Sequence, residues 1–270
     1  AGVPAVFARG QGGLLDVALD PAFADNRLVY LSFSEPVDGK ARTAVARGRL
    51  QGERLEDVQV IFRQHPAIDA RHHFGSRLVF DREGRLFVTM GDRGSQRDSA
   101  QDLGTHIGTV VRIHTDGSVP AGNPFVGRDG AQPEIWSYGH RNIQGAFLHP
   151  ATGELWTHEH GPRGGDEINV ARAGLNYGWP VITYGREYHG PRIGEGTAKA
   201  GMEQPLHYWV PSIGPSGFAY YTGAALPAWR GNLLVGALAS MQVARLERGA
   251  DGKVAHEERI AIGERVRDVR

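Results

Sequence analysis

The chain has 270 residues, 30 Lys plus Arg against 30 Asp plus Glu, no cysteine, and 38 glycines beside 15 prolines. Zero net charge gives no strong pull toward nucleic acid or an anionic membrane, and the lack of cysteine excludes disulfides, thiolate nucleophiles and zinc-thiolate sites together. No apolar run approaches the roughly 20 residues that span a bilayer, and the glycine and proline content suits many short strands rather than a helical bundle.

In chain order, one pattern recurs. Residues 14–33 read LLDVALDPAFADNRLVYLSF, residues 78–89 LVFDREGRLFVT, residues 145–157 GAFLHPATGELWT and residues 217–238 GFAYYTGAALPAWRGNLLVGAL. Each is an apolar strand ending on Asp, His or Tyr, then a turn with Pro, Gly or Asn, then a second strand opening on Leu28, Leu86, Leu155 or Leu233. That is the grammar of a β-hairpin. Further strands are expected at Thr43 to Leu50, Thr109 to His114, Glu134 to Tyr138 and Gln242 to Glu247. A hairpin with one or two added strands makes a four-stranded antiparallel sheet, and its repetition predicts an all-β propeller as a single domain over 1–270, ahead of a large sandwich. Helix is expected only as a turn or two at Ser99 to Leu103 and in a few loop segments, and 91–106 and 181–209 read as loop insertions, where function concentrates.

The stretch 156–180, WTHEHGPRGGDEINVARAGLNYGWP, crowds His158, Glu159, His160, Asp166, Glu167 and Asn169 around Gly161, Pro162, Gly164 and Gly165. Irregular backbone turns carbonyl oxygens outward, and carbonyls beside carboxylates are the ligands of a hard cation such as calcium. The rival reading is a polar turn whose acids cap local N–H groups. At the end, Arg265-Val266-Arg267-Asp268-Val269-Arg270 reads as the first strand of another hairpin, and residues 1–13 enter a hairpin with little before them. A propeller closes its ring by pairing first and last sheets, so sheet material is expected to be missing at both ends, with a homodimer that lends strands as one way of closing it. The amino end AGVPAVFARG lacks the order of an export signal.

The segments HFGSR (73–77), GDRG (91–94), AQDL (100–103), NPFVGRDGAQPEIWSYGHRNIQG (123–145), EHGPRGGDEIN (159–169), NYGWP (176–180) and RVRDV (265–269) resemble the soluble pyrroloquinoline-quinone (PQQ)-dependent sugar dehydrogenases, and among them the bacterial aldose sugar dehydrogenases. The resemblance implies a six-bladed propeller of four-stranded blades that oxidises aldoses at C1 to lactones with PQQ and Ca2+, passes electrons to an external acceptor and works in the periplasm or outside the cell. It makes His73 the general base, a role suited to an imidazole with an ordinary pKa of about 6.5. His72 and Gln11 fall at substrate-contact positions. Arg141 and Asn142 match quinone contacts, Arg141 offering donors where negative charge develops. Arg265 and Arg267, two apart on the expected strand and so on one face, match contacts to the cofactor's carboxylates. Gly161 and Pro162 match carbonyl ligands of the calcium that grips the cofactor, and Glu167, Tyr177 and Asp166 match or adjoin a second calcium. Two departures stand out: Ile143 where the family usually has Pro, and Ala239 where many members carry a cofactor-contacting lysine. The rival functions are a calcium-dependent propeller hydrolase such as a lactonase, and a non-catalytic binding module.

Overall fold

Each of the four hairpins forms, and the second strand of each opens on the predicted leucine. In the computed structural model, which describes residues 1–270, the strands are β1 (Leu14–Leu19), β2 (Leu28–Val37), β3 (Lys40–Gln51) and β4 (Arg54–Arg63); β5 (Leu78–Phe80), β6 (Leu86–Thr89), β7 (Thr109–Ile113) and β8 (Ile135–Tyr138); β9 (Ile143–Leu148), β10 (Leu155–Glu159), β11 (Asp166–Ala171) and β12 (His207–Trp209); β13 (Pro215–Tyr220), β14 (Leu233–Ala237), β15 (Gln242–Arg248) and β16 (Val254–Ala261). Each set of four is one sheet whose neighbours in sequence are neighbours in space. All pairs are antiparallel.

The polar residue that ends the first strand of each hairpin has a physical task. Asp20 accepts hydrogen bonds from the Ala22 N–H and the Asn26 amide. Asp81 accepts from the N–H groups of Glu83 and Arg85. His149 Nδ1 accepts from the Thr152 N–H, and the Tyr221 hydroxyl from the Leu226 N–H. The recurrent Asp, His or Tyr therefore satisfies turn donors that the ladder cannot reach.

Two expectations need correction. Residues 207–209, read as part of a loop, form β12 and pair with β11. Arg265 and Arg267, read as strand residues on one face, lie in irregular backbone beyond β16 and are exposed. No strand offers a ladder to this stretch. It is held instead by the Ser216 hydroxyl, which donates to the Val266 carbonyl at 2.7 Å, and by Gly217, where a Cβ would strike the Asp268–Val269 backbone.

The chain divides into two compact units, residues 1–142 with 172–180, and residues 143–171 with 181–270. In the first, Tyr30, Val45 and Phe62 of one sheet bury against Leu86, Val88, Val111 and Ile135 of the other. In the second, Trp156, Ile168 and Trp209 bury against Phe218, Leu233, Val235 and Leu246. The last strand of each sheet is either short, as in β8 and β12, or charged and irregular, as in β4 and β16, whose pairings with β3 and β15 shift register at bulges. No helix is long and apolar enough to cross a membrane.

Glu257 on β16 joins the two sheets of the second unit. His207 approaches it to 3.6 Å, Arg259 donates to it at 2.8 Å and the Trp209 indole at 3.2 Å. His207 first, then Arg259 and Trp209, outweigh the burial that opposes them and hold its carboxyl down at about 2, against an ordinary 4.5. A depressed carboxyl stabilises the fold above its unfolded pKa and loses that contribution as pH falls through its folded value. The Tm advantage of the wild type over Glu257→Gln is therefore expected to be full at pH 7, to shrink below about pH 4.5 and to vanish near pH 2. Melting curves across that range check it, and a pH-independent difference would contradict the assignment.

Candidate active site

In the first unit, the segments that leave β6 and β8 run beside each other. Gly91 bridges Asn142, and the Asp92 N–H donates to the Arg141 carbonyl at 2.8 Å. A Cβ on Gly91 would meet the His73 carbonyl and the Asn142 amide oxygen, so this approach needs glycine. The loop before β5 delivers His73 to the same place. His73 Nδ1 lies 2.6 Å from Asp92 Oδ1, and Asp92 is 1% exposed. The Trp179 indole donates to Asp92 Oδ2 at 2.8 Å, and the Gly94 N–H to Oδ1 at 2.7 Å.

These contacts fix both charge and tautomer. Burial, the largest influence on Asp92, pushes its pKa up, yet the hydrogen bond and charge of His73, the charge of Arg141 and the Gly94 N–H together hold it below the usual carboxylate value. An ionised Asp92 accepts the hydrogen bond of Nδ1–H and leaves Nε2, which carries no hydrogen bond, as the acceptor.

The backbone is constrained as tightly. His73, Ser76 and Arg93 adopt left-handed φ values of 55°, 95° and 57°. Such conformations cost of order 1–3 kcal/mol each and persist where the surroundings enforce them. At His73 the enforcement is visible, because Gln11 Oε1 accepts its N–H at 2.8 Å and Arg93 grips the preceding residues. Arg93 is fully buried and donates to the carbonyls of His72, Ala70 and Ala41 at 3.1, 2.7 and 3.0 Å, with its guanidinium 3.7 Å over the Phe74 ring. Burial lowers its pKa to about 10. His72 is exposed, edge-on to His73, and its pKa is lowered by partial burial first and then by His73 and Arg93, which keeps it neutral near pH 7.

Arg141 is 7% exposed, with its guanidinium 5.4 Å over the Trp179 ring, and the Asn142 amide oxygen accepts the Gly75 N–H at 3.2 Å. The buried, planar guanidinium of Arg141, in the same unit as the His73 Nε2, is suited to the oxygens of a flat quinone. Tyr177 is buried in this unit, stacked on His140 at 4.6 Å, and its hydroxyl accepts the Arg172 N–H.

In the second unit, the expected metal loop proves shorter than its motif. His158 and Glu159 end β10, Asp166 opens β11, and only 160–165 is irregular. Asp166 is fully buried and acts as a hub. Its carboxylate accepts from the Gly161 N–H at 2.9 Å, the Ser212 hydroxyl at 2.7 Å, the Ile213 N–H at 2.7 Å and the Gly214 N–H at 3.1 Å. This is the capping role that the sequence also allowed.

A Cβ on Gly161 would meet the Gly165 carbonyl. Pro162 is buried, and no N–H donates to its carbonyl oxygen. A buried carbonyl without a partner suits a calcium ligand. Glu159 and Glu167 are register partners, as are Thr157 and Asn169, so all four share one face. The Asn169 amide donates to both glutamates at 3.3–3.4 Å, while its own buried Oδ1 has no partner. Burial first, then Glu159, pushes Glu167 up to about 8. No group of three His, Asp or Glu side chains has the geometry of a metal site, so a cation here would draw on backbone oxygens.

Sequence reasoning placed His73, Arg141 and Asn142, which the fold gathers in one unit, but gave no role to Asp92, Arg93 or Trp179. The signal for Asp92 was an acid inside GDRG, where Gly-flanked turns make room for a side chain to aim at a neighbour. Nothing local marked Trp179, which lies 87 residues from Asp92.

Serial four-stranded antiparallel meanders are blades of the β-propeller class, and a histidine backed by an ionised aspartate equips such a scaffold for proton abstraction. The chain belongs to the glucose/sorbosone dehydrogenase family, whose model matches residues 1–270. It is 48% identical over 277 residues to the aldose sugar dehydrogenase YliI of Escherichia coli, covering all of this chain and 74% of that protein. Among solved structures it matches a glucose dehydrogenase at 52% identity with TM-score 0.97, over 100% of this chain and 80% of the other. It also matches the PQQ-bound aldose sugar dehydrogenase of Streptomyces coelicolor at 28% identity with TM-score 0.78, over 99% and 73%.

Proposed function

We propose that the chain is a PQQ- and calcium-dependent dehydrogenase that oxidises aldoses at C1 to lactones. The observation that carries this reading is the His73–Asp92–Trp179 array, a base with one ring nitrogen uncommitted and the other fixed. His73 Nε2 takes the proton of the C1 hydroxyl, Asp92 accepts the hydrogen bond of Nδ1–H and stabilises the imidazolium that results, and Trp179 holds Asp92 in place. When bound, PQQ supplies the two-electron acceptor for the hydride that leaves C1. Arg141 and Asn142 of the first unit orient it, the guanidinium offering paired donors to its oxygens. Gly161 and Pro162 are assigned as carbonyl ligands of one calcium and Glu167 to a second, with Asp166 shaping the loop through its hydrogen bonds, while Tyr177 is held within the first unit by the Arg172 N–H. Gln11 holds the His73 backbone, and its amide N–H groups, with His72, serve as sugar contacts. The E. coli relative's name and the bound cofactor of the Streptomyces neighbour support the reading. Electrons pass on to an external acceptor, and the expected compartment is periplasmic or extracellular.

Dye-linked oxidation of an aldose panel tests it. Turnover is expected only when PQQ and calcium are both added to the purified chain, and chelation should abolish it. Turnover without PQQ, or none together with no cofactor-induced absorbance change, would overturn the reading. A calcium-dependent hydrolase would need several carboxylates converging on one ion, an arrangement these side chains do not make.

A further inference from the structure

The segment 181–197 of the second unit closes on itself. The Glu195 N–H donates to the Val181 carbonyl, the Thr183 N–H to the Gly196 carbonyl, and Ile182 bridges Gly196 in parallel. At its tip Arg186 and Arg192 face each other across an antiparallel bridge, and the turn between them is tied by Glu187 N–H to Pro191 C=O and Gly190 N–H to Glu187 C=O. Compact loops with joined ends of this kind are ordered by their own contacts and frequently functional. Between the arms lies a cavity of about 330 Å³, lined by Thr183, Tyr184, Arg186, Arg192, Ile193 and Thr197 among others.

The charge arrangement is unusual. Like charges directly opposite on paired strands destabilise the pairing. Neither arginine takes part in an ion pair, and the neighbouring Glu195 is already engaged by Lys199 at 2.8 Å. Two guanidiniums lining one cavity without a carboxylate form a donor array whose natural complement is an oxyanion taken by paired N–H groups. The rest of the wall describes the body of the ligand. Tyr184 is stacked on Tyr208 at 3.7 Å, which fixes its ring, and its hydroxyl is committed to Gln204 Oε1. Thr183 Oγ1 accepts the Gly185 N–H, which leaves its own hydroxyl proton to donate, and Thr197 is exposed. A rigid aromatic face and the threonine hydroxyls around a small volume suit a compact hydroxylated molecule more than a hydrocarbon.

We propose that this pocket binds a small polyhydroxylated carboxylate, a sugar acid, with Arg186 and Arg192 on the carboxylate and the Tyr184 face against the carbon chain. Calorimetric titration of the cofactor-free chain with gluconate, glucuronate and inorganic phosphate tests it. Binding of the sugar acids is expected, weakened by added salt and by about tenfold or more in each of Arg186→Gln and Arg192→Gln. Exposed positions make these substitutions tolerable, and an unchanged melting curve would verify folding. No binding of either sugar acid, or binding in the two variants as tight as in the wild type, overturns the proposal. Preference for inorganic phosphate over gluconate overturns the sugar-acid assignment. Because the readout is heat on the apo chain, the outcome is independent of whether aldoses are oxidised.

Discussion

His73→Ala is expected to lower kcat for aldose oxidation by about 10²- to 10⁴-fold, the usual share of a positioned general base, while PQQ still binds. The geometry ties the loss to proton transfer, since the removed ring's hydrogen bond is with Asp92 and its ring contact with His72. Asp92→Asn is the sharper test. The asparagine amide can donate to Nδ1, which would move the ring proton to Nε2 and abolish its capacity to accept. Turnover should then fall nearly as far as in His73→Ala although the histidine is present. The double variant should be little worse than either single one, because the two residues act as a unit. Steady-state kinetics with the cofactor's absorbance as a binding control would decide it. Full turnover in Asp92→Asn would refute the dyad.

Asp166→Ala is expected to destabilise the second unit by about 3–5 kcal/mol. It would strand the N–H groups of Gly161, Ile213 and Gly214 and the Ser212 hydroxyl in a site where each unpaired group costs about 1–3 kcal/mol, partly recovered by relaxation. For a chain of this size that corresponds to a fall in Tm of about 6–20 °C. Asp166→Asn keeps one acceptor oxygen and should fall between. Thermal melts in the absence of metal separate this role from metal ligation. A metal-free Tm unchanged in Asp166→Ala, with a loss only when calcium is present, would restore Asp166 to the ligands.

The sequence disclosed the hairpins because their signature is chemical. A residue able to cap turn N–H groups stands where the first strand ends, and leucine reopens the ladder. It disclosed His73 and Arg141 through motifs, but the partners that give them function are non-local. Asp92 meets Trp179 only after the segments behind β6 and β8 are brought together, and Arg93 reads as an ordinary surface arginine until Ala41, Ala70 and His72 surround it. The misread stretch 265–270 alternates charge and valine as a strand would, yet alternation without a partner makes no ladder. Glu159 and Glu167 became a pair only once the register of β10 and β11 was fixed, eight positions of sequence being folded back into direct opposition.

The strands that finish the sheets bear on how such a protein survives at high concentration. A terminal strand is a template for any passing chain with free amide groups, and long flat ones seed fibres. Here β8 and β12 offer only four and three residues. The long ones, β4 and β16, carry Arg54, Glu56, Asp57 and Arg63, and Glu257, Glu258 and Arg259, with bulges that twist them out of flatness. Incoming chains would have to desolvate these charges and match an irregular register. Resistance to edge-to-edge aggregation is thus written into the fourth strand of every sheet, leaving the loops between strands free to vary with function.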